Sequence, residues 1–180
     1  MATNQLQSNS KLRHLATFTS SGTFTPPAGC NLVYVAIQGS SGGGAAGGPE
    51  RYGQYTGTSG QNGIWGAGYV QVAPGVGCSV VVGAAGPRSG TSTNAAGGNG
   101  GTSSFDNAIT VVGGRGGNNN PGASLSAQTS LPTVNPGAST LTRASSATTS
   151  SSNVTTGGSG GYGNAQGGIG TQATIYIYAY

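Results

Sequence analysis

Apolar residues fall along this chain in short runs, each bounded by glycine, proline or serine. Glycine interrupts every window long enough for an amphipathic helix, so no significant helix is expected. Short apolar runs closed by turn residues predict strands instead. Residues 12–24 read as a hairpin turning at Ser20, Ser21 and Gly22. Residues 32–37 (LVYVAI) form the strongest strand signal, apolar on both faces, which predicts a central strand covered on both sides. Further strands are expected at 69–72, at 78–82 after the Ala73-Pro74-Gly75 turn, and at 108–112. The segments PAGCNLVYV and PGVGCSVVV echo each other, each setting a Pro/Gly turn before a cysteine and a valine-rich strand, as two similar strands of one sandwich would. Residues 171–180 (TQATIYIYAY) alternate cleanly. Ala173, Ile175, Ile177 and Ala179 share one face, and Tyr176, Tyr178 and Tyr180 share the other. That period of two predicts a half-buried strand whose tyrosines line the rim, meet a second layer, or form a subunit interface. The expected class is all-β, a β-sandwich or jelly-roll-like fold.

The segments between the strands set the domain plan. Residues 1–10 are a polar arm, and residues 11–180 read as a single glycine-rich β domain. Residues 39–48 carry no strand signal. Residues 50–64 form a loop holding Tyr52 and Tyr55, with Trp65 near its end. Residues 118–156 are rich in Ser, Thr, Ala, Asn and Pro without a sustained period, and read as a long insertion. The organisation centres on residues 97–117 (GGNGGTSSFDNAITVVGGRGG), where two glycine clusters flank a strand and a turn.

Composition makes glycine the main question. There are 37 glycines in 180 residues, far above a usual share of about 7%, and each loses more backbone entropy on folding than any other residue. Flexible linkers would not be interleaved with strands. Phosphate-cradling loops need a following helix, and none is signalled. The spacing fits a third use. Gly39, Gly42 and Gly48 lie on a three-residue register, as do Gly157, Gly160 and Gly163, and Gly158, Gly161, Gly167 and Gly170. Polyproline-II-type helices have three residues per turn and no internal hydrogen bonds. Glycine leaves their faces without Cβ atoms, so several could pack side by side and satisfy one another's backbone groups. The structural glycines on this reading are Gly97, Gly98, Gly100, Gly101, Gly113, Gly114, Gly116, Gly117, Gly157, Gly158, Gly160 and Gly161.

Charge removes several functions. Only 4% of residues are charged and the formal net charge is +4. The six basic residues are scattered rather than arrayed along a phosphate track, which argues against nucleic acid. The carboxylates are Glu50 and Asp106 alone, with one histidine, His14, and two cysteines, Cys30 and Cys78. These do not supply paired acids, an activated nucleophile or a zinc site, so no catalytic residue, metal or cofactor is expected and the chain is read as not an enzyme. Asp106 reads as a turn former, and the cysteines as small hydrophobes opening strands. The Asn153-Val154-Thr155 sequon carries little weight, because residues 1–11 lack an apolar leader core. No run is long enough to insert in a membrane. Candidate recognition residues are Tyr52, Tyr55, Trp65, Asn118, Asn119 and Asn120. Loop aromatics offer stacking surface, although Trp65 could equally plug the core.

The order Phe-Thr-Ser-Ser-Gly-Thr-Phe-Thr, Pro-Ala-Gly, apolar strand, glycine run spans residues 18–48. A Pro-Gly turn, a strand ending Val-Gly-Ala-Ala-Gly (82–86), Gly-Gly-Thr-Ser-Ser-Phe (100–105) and a last Gly-Gly-x block before a terminal strand follow. This succession resembles the glycine-rich domain common in bacteriophage tail-fibre and tail-tip proteins. More remotely, it is similar to the glycine-rich ligand-binding region of anaplastic lymphoma kinase. The resemblance implies a β-sandwich paired with polyglycine-II helices and a place in the virion after synthesis in the host cytoplasm. The role it implies is a tail-tip or tail-fibre part presenting loops to a host receptor, either a surface glycan or a protein. A capsid decoration or cement protein is the alternative. Partners would then be other virion proteins and further copies of the chain, most simply as a homotrimer, with Tyr176, Tyr178 and Tyr180 as interface candidates. The glycine triplets here are sparser than in that family, and residues 118–156 are an addition to its pattern.

Overall fold

The computed structural model describes residues 12–48, 56–90, 95–118, 158–159 and 166–179, with the backbone of 133–134. They form nine strands: β1 (Arg13–Phe18), β2 (Gly22–Phe24), β3 (Leu32–Gln38), β4 (Trp65–Gln71), β5 (Cys78–Val81), β6 (Ser103–Phe105), β7 (Ile109–Val111), β8 (Thr133–Val134) and β9 (Thr174–Ala179). One sheet has the order β1-β9-β3-β4 and the other β2-β5-β6-β7-β8, with every pairing antiparallel. The fold is all-β and sandwich-like, with no helix among the described residues.

Alternation places the core. Val33, Val35 and Ile37 of β3 and Ile175 and Ile177 of β9 point inward and are fully buried. They meet Val80, Phe105, Ile109 and Val111 from the opposite sheet in one hydrophobic cluster. Gly68 gives Ile109 room, since a Cβ there would lie 3.2 Å from its Cδ1. The echoing cysteine segments become β3 and β5, one in each layer, and a glycine at positive φ precedes each, Gly29 at 80° and Gly75 at 77°. The backbone N–H groups of Cys30 and Val76 close these two turns on the carbonyls of Pro27 and Ala73.

Several expectations change. Residues 12–24 are not a hairpin: β1 pairs with β9 while β2 crosses to β5 in the other sheet. The Ser21 hydroxyl holds that crossing by accepting the Val82 N–H at 2.9 Å. β3 is central but not covered on both sides, because Leu32, Tyr34 and Gln38 on its outer face stay half-buried. β4 starts four residues earlier than the apolar run at 69–72, since Gly66 and Gly68 still pair in register with Ile37 and Val35. β6 has no apolar run to announce it. It forms because Asp106 and Asn107, both left-handed (φ 45° and 53°), turn the chain back onto β7, in the manner of a type I′ turn. Within 118–156, Thr133–Val134 adds an edge strand beside β7. Residues 119–132 and 135–156 of that insertion and the arm 1–10 lie outside the described residues.

The larger change concerns residues 39–48, which are buried throughout. Their backbone groups bond outward with a three-residue period. The N–H groups of 41–46 donate in turn to Thr171, Gln61 and Gly98, then to Gly168, Thr58 and Ala95, at 2.8–3.0 Å. The carbonyls of 40–44 accept in turn from Gly114, Gly86 and Gly158, then from Gly117 and Ser89, at 2.7–3.1 Å. One segment is therefore surrounded by six: 57–63, 112–118, 95–101, 83–90, 166–171 and 158–159. In that order the six also bond to their neighbours around the ring, at 2.6–3.0 Å, and the ring closes. The three segments antiparallel to the centre accept its N–H groups, and the three parallel ones donate to its carbonyls. A three-fold repeat with all backbone bonds made between segments is the pattern of polyglycine-II packing.

Glycine serves closeness here, not unusual dihedrals. Among the described glycines only Gly29 and Gly75 have positive φ. A Cβ on Gly42, Gly43 or Gly44 would fall onto the carbonyl of Arg115, Pro87 or Ser159, three different neighbours reached by three successive residues. Side chains return only at the ends of the central segment, as Ser40, Ser41, Ala45 and Ala46. The Ser40 hydroxyl donates to Gly101 O at 2.7 Å, and that of Ser41 accepts the Thr171 N–H at 2.6 Å.

This geometry separates two uses of glycine. Gly43→Ala should cost roughly 3 kcal/mol through overpacking, about 10 °C in melting temperature for a chain of this size. Gly29→Ala, with open space but positive φ, should cost about 1 kcal/mol. Gly90→Ala, with nothing within 4 Å of the added Cβ, should stay within about 0.5 kcal/mol. Thermal melts of the three variants check that order.

Candidate functional site

Strand directions fix where the bundle leads. Residues 39–46, 83–90 and 112–118 continue out of β3, β5 and β7, while 57–63, 95–101 and 166–171 run back into β4, β6 and β9. Consequently Gly48, Thr56, Gly90, Ala95, Asn118 and Gln166 finish at one end of the bundle, remote from the sandwich. Among the described residues the charges near it are Arg88 and Arg115, both exposed on the bundle's outside. Asn118 is held by its backbone. Its N–H donates to Thr58 Oγ1 at 2.6 Å, and its carbonyl accepts from the Thr58 N–H at 3.0 Å and hydroxyl at 2.8 Å. That clasp ties 112–118 to 57–63 where both reach the bundle end.

A second surface is the outer face of the four-stranded sheet. Register sets its residues in rows. Tyr69, Tyr34, Tyr178 and His14 lie side by side across β4, β3, β9 and β1. The next row holds Ala67, Ala36, Tyr176 and Thr17, and the next Trp65, Gln38 and Thr174. Ring centroids are 5.1 Å apart for Tyr34 and Tyr69, 6.3 Å for Tyr34 and Tyr178, and 5.4 Å for His14 and Tyr178, whose rings meet edge-on at 72°. His14 Nε2 also lies 2.8 Å from Thr17 Oγ1. Around Ala36 the rows leave a concavity of about 350 Å³.

The titratable groups are dispersed. No three His, Cys, Asp or Glu residues gather as a metal site among the described residues. Asp106 belongs to the β6–β7 turn, where its N–H donates to Ser79 O at 2.7 Å and its Oδ1 receives the Ser79 N–H at 3.4 Å. Cys30 and Cys78 are both free thiols, the first half-buried and the second buried. Burial pushes the Cys78 thiol above its ordinary value of 9.0, and the negative charge of Asp106 adds to the shift.

The sequence-derived residues thus fall in different places. Trp65 is not a loop residue: it opens β4, half-buried beside Gln38 on the aromatic face, because the strand begins before its apolar run. Tyr176 and Tyr178 share that face, and Asn118 sits at the bundle end. Tyr52, Tyr55, Asn119, Asn120, Tyr180, Gly157, Gly160 and Gly161 lie outside the described residues. Of the structural glycines, a Cβ on Gly97, Gly114, Gly116, Gly117 or Gly158 would fall onto the carbonyl of Gly43, Gln61, Gly97, Thr58 or Gly168. On Gly98, Gly100 or Gly101 it would come within 2.5–2.8 Å of Pro87 Cγ, Ser40 Oγ or Ala84 N, and on Gly113 within 2.6 Å of Ser40 Oγ. Reading the sequence missed the hub at 39–46 and the companions Tyr34, Tyr69, Ala36 and Gln38. The glycine register at 39, 42 and 48 marks that segment without singling it out as the hub, and the signal for the companions is the alternation within β3 and β4.

Fold and surfaces together define a β-sandwich whose strands run on into a glycine-helix bundle. The family model described as glycine-rich domain matches residues 17–179, and the chain belongs to that family. No curated protein matches the sequence.

Thiol burial has a pH consequence. Below about pH 9 the Cys78 thiol is neutral in both folded and unfolded chains; above it the unfolded chain ionises first, so stability contributed by this group is lost as pH rises through the raised value. Chemical denaturation from pH 8 to 10.5 should show that decline, flattened in Cys78→Ala. In the native protein at pH 8, iodoacetamide should label Cys30 and spare Cys78 until the chain unfolds.

Proposed function

We propose that this chain is a non-enzymatic structural component of a bacteriophage particle, a tail-tip or tail-fibre part made in the host cytoplasm. In this role it presents the end of its glycine bundle to a receptor on the host surface, a glycan or a protein. The observation that carries the reading is the closed ring of six segments around residues 39–46. It is a rigid mount built with almost no charge and little apolar surface, and the described segments finish together at one end of it. Such a mount suits recognition by the connections it holds, since a rigid scaffold lowers the ordering cost of binding. Membership of the glycine-rich domain family and the resemblance to phage tail proteins support the same role. The partners on this reading are other virion proteins and two further copies of the chain, with no nucleic acid, membrane insertion or cofactor involved.

Two measurements test it. Immunogold labelling of particles should mark the tail, and the purified protein should retain host cells or their envelope extract at micromolar concentration. Label over the head would make it a decoration protein that cements the shell, and loss of both signals would remove the virion role. Sedimentation equilibrium should give three times the 17.3 kDa chain mass; a monomer mass overturns the trimer.

A further inference from the structure

The concavity on the outer face of the four-stranded sheet is lined by side chains that the bundle does not use. Ala36 forms its floor, only 7% exposed, and Ala67 lies beside it in register. Ala36 is the small residue of the lining and makes a notch between larger ones. Tyr176 stands on one side, opposite Ala36 across β9. Tyr34 closes one end, and Gln38 and Trp65, a cross-strand pair, close the other. The register keeps the notch fixed, because β3 pairs with β4 and with β9 over its length without a shift.

We infer that this notch is a binding site for a neutral sugar ring. The lining is mainly aromatic, with Tyr34, Trp65, Tyr176 and Tyr178 beside Leu12, and aromatic faces carry partial negative charge that attracts the C–H bonds of a pyranose face. Gln38 and the tyrosines belong to the same lining, and the hydroxyl groups of a sugar need the donors and acceptors that such side chains carry. Among the described residues the lining holds no charged side chain. The described carboxylate, Asp106, belongs to the turn of the other sheet. Among the described lining residues a charged or metal-bridged ligand finds no counter-charge, whereas a neutral polyol finds stacking and hydrogen bonds. The volume, about 350 Å³, falls in the roughly 300–1,000 Å³ range of small-ligand sites. A second protein chain fits less well: the notch is concave in the middle of the face, and a two-fold copy would bring notch against notch rather than fill it. The site is separate from the bundle end and does not rest on the proposed virion role.

Trp65 is the chain's one tryptophan, so its fluorescence reports on this notch alone. The full-length protein is titrated with methyl glucoside, methyl galactoside, methyl mannoside and, as the charged control, N-acetylneuraminic acid. At least one neutral glycoside should show saturation transfer from protein to ring protons and shift the Trp65 emission, saturating at about 1–10 mM. Ala36→Leu, which fills the floor, should weaken that binding at least about tenfold. Gln38→Ala, which removes the amide without filling the floor, should weaken it and keeps the test open if Ala36→Leu melts early. Trp65→Phe should silence the fluorescence change yet retain saturation transfer. The assignment fails if no neutral glycoside transfers saturation, if N-acetylneuraminic acid binds better, or if Gln38→Ala and a folded Ala36→Leu bind unchanged. It also fails if either variant lowers the sedimenting mass, which would give the face to a second copy.

Discussion

A buried backbone must find partners for every N–H and carbonyl, and residues 39–46 are buried without belonging to a sheet or an α-helix. Their solution governs the rest of the molecule. A helix of three residues per turn has no internal hydrogen bonds, so its groups point outward in six directions and require six neighbours at backbone distance. Those neighbours can approach only where Cβ atoms are missing. Gly42, Gly43 and Gly44 each face a different carbonyl, and the ring segments answer with glycines of their own. The conformational cost of ordering so many glycines is offset by hydrogen bonds out of water rather than by a large apolar core.

The sandwich supplies what the bundle lacks. A ring of unconnected segments would scatter, but six of its seven members run directly into or out of a strand. β3, β4 and β9 of one sheet and β5, β6 and β7 of the other thus set the spacing and direction of the segments before the bundle begins. The core of Val33, Val35, Ile37, Phe105, Ile109, Ile175 and Ile177 clamps the strands from inside. The alternation of parallel and antiparallel segments around the ring follows from this, since neighbouring strands enter and leave in opposite directions. The outer sheet face, freed from core packing, carries aromatic rows that ordinary cross-strand contact holds in place.

Much of this was legible in the chain and some of it was not. The all-β class followed from short apolar runs and from the absence of any helical period. The inward and outward faces of β9 were readable residue by residue, because a period of two is a local property. The turn at Asp106 was readable for a similar reason, since short polar side chains tolerate left-handed backbone. The sheet to which β2 belongs was not readable: a Ser-Ser-Gly signal fixes where the chain bends, not which strand receives it. β6 was hidden because Ser103 and Ser104 look like loop residues until Val111 stands beside the first and Val81 and Thr110 beside the second. Trp65 reads as the end of a loop because Gly66 and Gly68 weaken a strand signal that pairing with β3 restores.

The glycine clusters show where the line falls. The three-residue register, the missing charges and the scarcity of apolar residues were set by sequence, and they already pointed to helices that pack by lacking side chains. Which segment stands at the centre could not be read, because residues 39–48 and 97–117 carry the same local signal. Only the tertiary arrangement decides, since β3 lies inside its sheet and its continuation alone is surrounded on every side. The same holds for the notch at Ala36: a small residue becomes a site only when the large residues of two other strands are set around it.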